Sequence, residues 1–228
     1  MVEIERIDSG IPGLDKLMEG GFVKGSTNLI AGSAGTCKTI FSMQFILHGL
    51  QKGEPGVYIT LEQKPEDILE DMAIFGWDFK KYIDSGKFIL ESFPPVDIVQ
   101  IRTSMLNAIK RINAKRFVLD SLSIAAMGWK EKPEEVFKMR GKIFDVLTTL
   151  KTTGVTSLLI SEIPRGEKEV ISRFGFEEFI VDSVILLQSF TVGGPMRSLH
   201  ILKMRRTNHE KKIYPFDVTN KGIVVKGF

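Results

Sequence analysis

The chain has 228 residues, 43% of them hydrophobic and 26% charged, enough apolar content for a compact globule with a sizeable core. A formal net charge of +3 neither demands nor excludes nucleic acid, and a single cysteine rules out an intramolecular disulfide, which suits a reducing compartment. The apolar runs Phe41–Leu50 and Val181–Leu187 are far too short to span a bilayer and Met1–Gly10 lacks a signal-peptide stretch, so the expected location is cytoplasmic, with no membrane contact.

The run Ser26–Ala31 predicts a strand that enters a glycine-rich loop. Lys38–Gln51 follows with apolar residues at helical spacing, and Gly53 ends it. Gly56–Leu61 predicts a strand, and Pro65 opens a helix to about Phe75 with Glu66 and Asp67 near its positive end. Lys87–Leu90 predicts a strand, Val96–Ile112 a helix, Arg116–Asp120 a strand ending on an acid, Pro133–Thr152 a helix stopped by Gly154, and Val155–Glu162 a strand. The charged segment Pro164–Glu178, which holds two glycines, reads as a mobile loop. Beyond it Val181–Gln188, Arg197–Met204, Ile213–Val218 and Ile223–Val225 are strands separated by turns. Alternating strand–helix units followed by a β-meander imply an α/β fold. The expected architecture is a mostly parallel central sheet flanked by helices, with a C-terminal antiparallel extension, in a single domain over residues 1–228.

The loop Gly32-Ser33-Ala34-Gly35-Thr36-Cys37-Lys38-Thr39 lies between strand and helix, the setting a phosphate-binding loop requires. Backbone N–H groups and a helix N-terminus point at one anionic pocket, Lys38 supplies a point charge, and the Thr39 hydroxyl is placed to hold Mg²⁺. Cys37 stands where the pattern has glycine; a left-handed backbone there costs a cysteine about 1–3 kcal/mol. Its thiol is either a tolerated neutral group or a redox-sensitive one, made acidic by the helix terminus.

Phosphoryl transfer to water further needs a metal-orienting acid, a base for the water, and positive charge on the transition state. Asp120 offers the first at the C-terminal end of its strand, where α/β folds bind ligands, although strand-end aspartates also serve as caps. Glu62 offers the second, with a helix cap as the alternative role. Lys203, Arg205, Arg206, Lys211 and Lys212 suit a solvated edge or a phosphate-contacting patch, and Lys203 and Arg205 share one face of their strand by alternation. His48, His200 and His209 are not grouped as zinc ligands would be.

Several stretches in order resemble one family. They are Ile7-Asp8-Ser9-Gly10-Ile11-Pro12-Gly13-Leu14-Asp15 with Gly20-Gly21; Glu62-Gln63, then Pro65-Glu66-Asp67-Ile68 and Phe75-Gly76-Trp77; Arg173-Phe174-Gly175-Phe176-Glu177-Glu178-Phe179; Lys203-Met204-Arg205-Arg206-Thr207-Asn208-His209; and Tyr214-Pro215-Phe216. Together they resemble a KaiC-type ATPase domain of the RecA superfamily over nearly the whole chain. The resemblance implies a RecA-like P-loop fold, ATP or ADP with Mg²⁺ as cofactors, Glu62 as the water-activating base beside Gln63 where the family shows a second glutamate, and assembly into a homo-oligomeric, hexameric ring. It also implies that Lys203 and Arg205 reach a γ-phosphate bound by the neighbouring subunit, with Thr207 and His209 near that nucleotide. The expected function is slow regulatory or signalling ATP hydrolysis, with an unidentified protein partner. Two alternatives stand beside it: an ATP-controlled DNA-binding paralogue using the loops Ser121–Lys132 and Pro164–Glu178, and a nucleotide-gated assembly protein with negligible hydrolysis.

Overall fold

The computed structural model describes residues 3–93, 98–123, 133–163, 171–172, 175–190 and 196–227, with only the backbone for 133–137. Most of the loops 121–132 and 164–178, on which the DNA-binding alternative rests, lie outside the described residues. The predicted elements are present with boundaries moved by at most about two residues: β3 (Thr27–Gly32), α1 (Lys38–Gln51), β4 (Gly56–Thr60), α2 (Pro65–Ala73), β5 (Phe88–Ser92), α4 (Ile98–Ile112), β6 (Arg116–Asp120), α5 (Pro133–Thr153), β7 (Thr156–Glu162), β8 (Ser183–Phe190), β9 (Met196–Met204), β10 (Ile213–Thr219) and β11 (Gly222–Val225). Five short elements were not anticipated: β1 (Arg6–Ile7), a 3-10 helix (Asp15–Met18), β2 (Phe22–Val23), α3 (Lys80–Asp84) and α6 (Glu177–Ile180). They hold too few residues to show a period, and α6 corrects the assignment of Glu177 and Glu178 to a loop.

The main sheet has the order β11-β10-β9-β8-β3-β7-β6-β4-β5. The run from β8 to β5 is parallel, and β9, β10 and β11 add to its β8 edge antiparallel. All parallel strands therefore end at one edge of the sheet, and the loop after β3 opens there. No helix among the described residues is long and apolar enough to cross a membrane.

Strand alternation divides the side chains between two cores. Val57, Ile59, Phe117, Leu119 and Leu159 pack with Ile101, Met105, Ile143 and Val146 of α4 and α5. Tyr58, Val118, Leu158 and Ile160 pack with Phe41, Phe45 and Ile46 of α1. Continued by two residues along their strands, Val118 leads to Asp120 and Ile160 leads to Glu162. The period that builds the core thus delivers two carboxylates under the start of α1.

The far end of α1 is fixed by Arg116, whose side chain is buried at the opposite edge of the sheet. Its Nη1 donates to the Phe45 and Asp8 carbonyls at 2.9 Å each, Nε donates to Glu54 at 2.7 Å, and the guanidinium stacks 4.5 Å from the Phe45 ring centroid. Gly49 makes room for it: a Cβ there would meet Arg116 Cδ and Nε at 2.3 Å. Gly141 in α5 has open space around it. Gly141→Ala is therefore expected to stabilise the protein by about 0.5–1 kcal/mol, the usual helix-interior gain. The same exchange at Gly49 is expected to destabilise by about 1–3 kcal/mol through overpacking; chemical denaturation of both variants checks the opposite signs.

Candidate nucleotide-binding site

At the end of β3, Gly32 lies against the next strand so closely that a Cβ would meet the Leu187 carbonyl oxygen at 2.5 Å and Thr36 Oγ1 at 2.6 Å. Thr36 Oγ1 donates to the Ser33 carbonyl at 2.8 Å and holds the loop curled. Cys37, at φ 70° and ψ 29°, precedes α1 without a side-chain cap. The first N–H groups of α1 therefore keep their donors for another acceptor. Lys38 is buried, with its Nζ donating to the Ser33 carbonyl at 2.9 Å and lying 3.4 Å from Glu162 Oε1. The loop Gly32–Thr39, including Ala34 and Gly35, forms the strand–loop–helix cradle that the sequence predicts.

Thr39 Oγ1 donates to Asp120 Oδ2 at 3.1 Å, and the fully buried Tyr58 hydroxyl donates to the same oxygen at 2.5 Å. Asp120 thus caps no helix; its carboxylate is oriented by two hydroxyls. Burial raises its pKa, against the hydrogen bonds from Tyr58 and Thr39 and the charge of Lys38. Burial, reinforced by Asp120, also holds the Tyr58 phenol well above its ordinary range, so it stays a neutral donor. Thr39 and Asp120 present hard oxygens side by side, a donor set that fits Mg²⁺.

Glu62 follows β4 in a turn set by Thr60, whose Oγ1 accepts from the N–H groups of Glu62 and Gln63 at 3.2 and 3.1 Å. The cap position of α2 is Lys64, so Glu62 is not the helix cap. Its carboxylate accepts a hydrogen bond from the Ser121 hydroxyl. The side chain keeps solvent access, but desolvation of its carboxyl raises the pKa; the Ser121 hydrogen bond opposes this, while Asp120 and Glu162 add to it. A glutamate poised in this way is suited to accept a proton.

Three residues at this edge were not anticipated from the sequence. Tyr58 fell inside one predicted strand, and Glu162 at the end of another. Both lie on the α1 face by the same two-residue alternation that yields Asp120, and that alternation was the available signal. The third is Arg197, at the start of β9. It pairs with Phe216 of the α1-side core and bears on the Cys37 thiol from across the sheet. Burial raises the Cys37 pKa, with Arg197 and Lys38 only partly offsetting it. The thiol is neutral rather than activated, the bland one of the two roles weighed for it.

Lys203 and Arg205 lie elsewhere. The β8–β9 register pairs Val184 with Lys203 and Ile185 with Ile201, a bulge that absorbs Leu202. It moves Lys203 off the α1 face and onto the α5 face with Val184. Val184 is level with Leu29, early in β3, so both cations sit toward the edge away from the phosphate loop. Lys203 Nζ donates to the Glu178 and Val181 carbonyls at 2.7 Å, and Arg205 Nη2 donates to the Phe179 carbonyl at 3.0 Å. Burial lowers the Lys203 pKa, and the neighbouring Arg205 adds to the effect. Thr207 accepts from Arg6 at 2.9 Å, and His209 Nδ1 lies 2.9 Å from the Glu210 carbonyl. None of these four joins the loop of its own chain.

A P-loop at the strand-terminal edge of a parallel sheet, with an antiparallel extension, defines a RecA-type nucleotide-binding fold. A family model described as the KaiC ATPase matches residues 7–227. A UPF0273 protein of Pyrococcus furiosus is 38% identical over 97% of this chain and 94% of its own length. The circadian clock protein KaiC3 of Synechocystis is 34% identical over 97% of this chain but 46% of its own length, so the chain spans about half of that relative. Among solved structures, a KaiC-like protein from Pyrococcus horikoshii OT3 shares 41% identity and a TM-score of 0.88, covering 99% of this chain and all of that one. The chain belongs to the KaiC-like ATPase family of the RecA superfamily.

The left-handed backbone at Cys37 gives a direct check on the strain expected there. Cys37→Gly is expected to raise stability by about 1 kcal/mol, because glycine adopts that conformation freely. Cys37→Ala keeps the Cβ and is expected to give no such gain; urea unfolding of the nucleotide-free variants distinguishes the two.

Proposed function

We propose that this chain, acting as one ATPase domain, binds ATP with Mg²⁺ and hydrolyses it slowly at sites shared between copies in a ring, as a regulatory component that works with a protein partner. The observation that carries this reading is the separation of its parts. Lys38, Thr39, Asp120 and Glu62 converge at one edge of the sheet, while Lys203 and Arg205 lie away from it. Charge for the transition state would then come from the next subunit, with Thr207 and His209 beside it.

In this mechanism the loop N–H groups and Lys38 hold the β- and γ-phosphates. Thr39 and, through water, Asp120 would hold Mg²⁺, which would supply Lewis-acid stabilisation of charge on the phosphate oxygens. Glu62 orients a water in line with the γ-phosphorus and accepts its proton. The new oxygen–phosphorus bond forms as the bond to the β–γ bridging oxygen breaks, and ADP leaves with the electron pair. Lys203 and Arg205 of the neighbour meet the charge on the γ-oxygens. Slow turnover is supported by the Cys37 side chain in the loop and by Gln63, where the family resemblance implies a second glutamate.

Glu62→Gln is expected to lower turnover by about 10²–10⁴-fold with ATP binding retained, the range for loss of a general base. Arg205→Ala is expected to lower it by about 10³-fold or more, the range for a charge-stabilising arginine. Mixing the two variants is expected to restore part of the activity, since some interfaces then pair an intact base with an intact arginine; no recovery in co-assembled protein rejects the shared site. The raised Glu62 pKa sets the sign of the pH dependence. The base is active as carboxylate, so turnover at saturating ATP is expected to fall as pH drops, beginning above the ordinary glutamate range. The residual activity of Glu62→Gln is expected to lack that limb.

A further inference from the structure

We infer that Glu162 is a counter-ion of Lys38, and that its carboxylate sets how strongly the site prefers ADP over nucleotides carrying a γ-phosphate. This rests on reading the loop as an ATP site, and it assigns a positioning role to a residue outside the mechanism above.

A buried ammonium needs an anion or a full set of acceptors. Lys38 is 7% exposed, and its described polar partners are the Ser33 carbonyl and Glu162 Oε1. Glu162 is not there by chance of a long side chain. It ends β7 on the α1 face, two residues beyond Ile160. Its N–H donates to Ser123 Oγ at 2.8 Å, and the next N–H, of Ile163, donates to the Gly32 carbonyl at 3.2 Å. The strand end is therefore tied both to the phosphate loop and to the segment after Asp120.

The same position crowds negative charge. Burial first raises the pKa of Glu62 and Asp120, and Glu162 lies close enough to add to both. A P-loop lysine reaches the β- and γ-phosphates, so an entering nucleotide competes with Glu162 for Lys38. A diphosphate replaces the carboxylate as the lysine's partner. A triphosphate does the same and brings its additional charge into the space beyond Lys38, where the three acids converge. The repulsion from Glu162 thus bears more heavily on the γ-phosphate than on the α- and β-phosphates. Turnover would then be limited partly by how readily the triphosphate displaces this carboxylate.

Calorimetric titration of ADP and of a non-hydrolysable ATP analogue, each with Mg²⁺, into the wild-type protein, Glu162→Gln and Glu162→Asp tests this. Glu162→Gln keeps size and hydrogen-bonding capacity but removes the charge. It is expected to tighten the analogue by about three- to fivefold, the scale of a partly exposed ion pair, and ADP by less than twofold. Glu162→Asp, which keeps the charge on a shorter arm, is expected to hold the wild-type preference between the two nucleotides more closely than Glu162→Gln. A change confined to folding would move both ligands together and leave their ratio untouched. An unchanged ratio, or weaker analogue binding by Glu162→Gln, overturns the inference while leaving the ATP site intact. Wild-type protein that binds neither nucleotide overturns the site itself, and the inference with it.

Discussion

The positive charge of Lys38, carried into a nearly dry position at the start of α1, is the constraint on which the candidate site turns. Helix N-termini already concentrate positive partial charge, so the loop stores a strong attraction for anions and a matching cost when none is present. The surrounding carboxylates answer that cost. Glu162 lies within ion-pair distance, Asp120 is fixed by Tyr58 and Thr39, and Glu62 is held by Ser121. Burial is the first cause of the raised pKa values of Asp120 and Glu62, and the repulsion between acids gathered around one cation adds to it. In the proposed function, a phosphate chain would relieve the lysine and a divalent cation would relieve the acids.

The strand period decides which residues take part. Asp120 and Glu162 extend rows that are apolar within the core, Val118 before one and Ile160 before the other. Loss of one residue from either strand would turn the acid onto the α4–α5 face. On β9 the same logic operates through an interruption. Arg197 shares the α1 face with Leu199 and Ile201, and the bulge at Leu202 then sends Lys203 and Arg205 to the opposite face, against α6. One strand thereby carries cations to two places: one beside the loop of its own chain, the other away from it and toward whatever meets α6. Phe179, largely exposed on α6, stands next to that second pair.

Much of this was legible in the sequence. The P-loop declares itself through short-range spacing, as do Pro65 at the first position of α2 and the acid closing β6. The resemblance assigns Lys203 and Arg205 to a γ-phosphate bound by a neighbouring subunit; the register shows only that they lie away from their own loop. What escaped detection depends on contacts between distant strands. Tyr58 reads as core because its ring is core; only its hydroxyl meets Asp120, 62 residues away in sequence. Glu162 meets Lys38 across 124 residues, and Arg197 reaches Cys37 across the width of two strands. No local period encodes such meetings. The helix α6 was hidden for the opposite reason, being too short to carry a period at all.

The position of the loop also depends on the opposite end of α1. A helix of 14 residues is about 21 Å long, so a small tilt at its C-terminal end swings the loop through a comparable distance. That end is held by Arg116, which clamps the Phe45 carbonyl, stacks on the Phe45 ring and occupies the space left by Gly49. Arg116 opens the strand that Asp120 closes. The two residues fix the two ends of α1 from the same five-residue element, one through its guanidinium and one through Thr39. Helix and strand are thereby locked in register. A buried charge that gains little in net stability has its use here in fixing where Lys38 and Thr39 stand relative to the acid they serve.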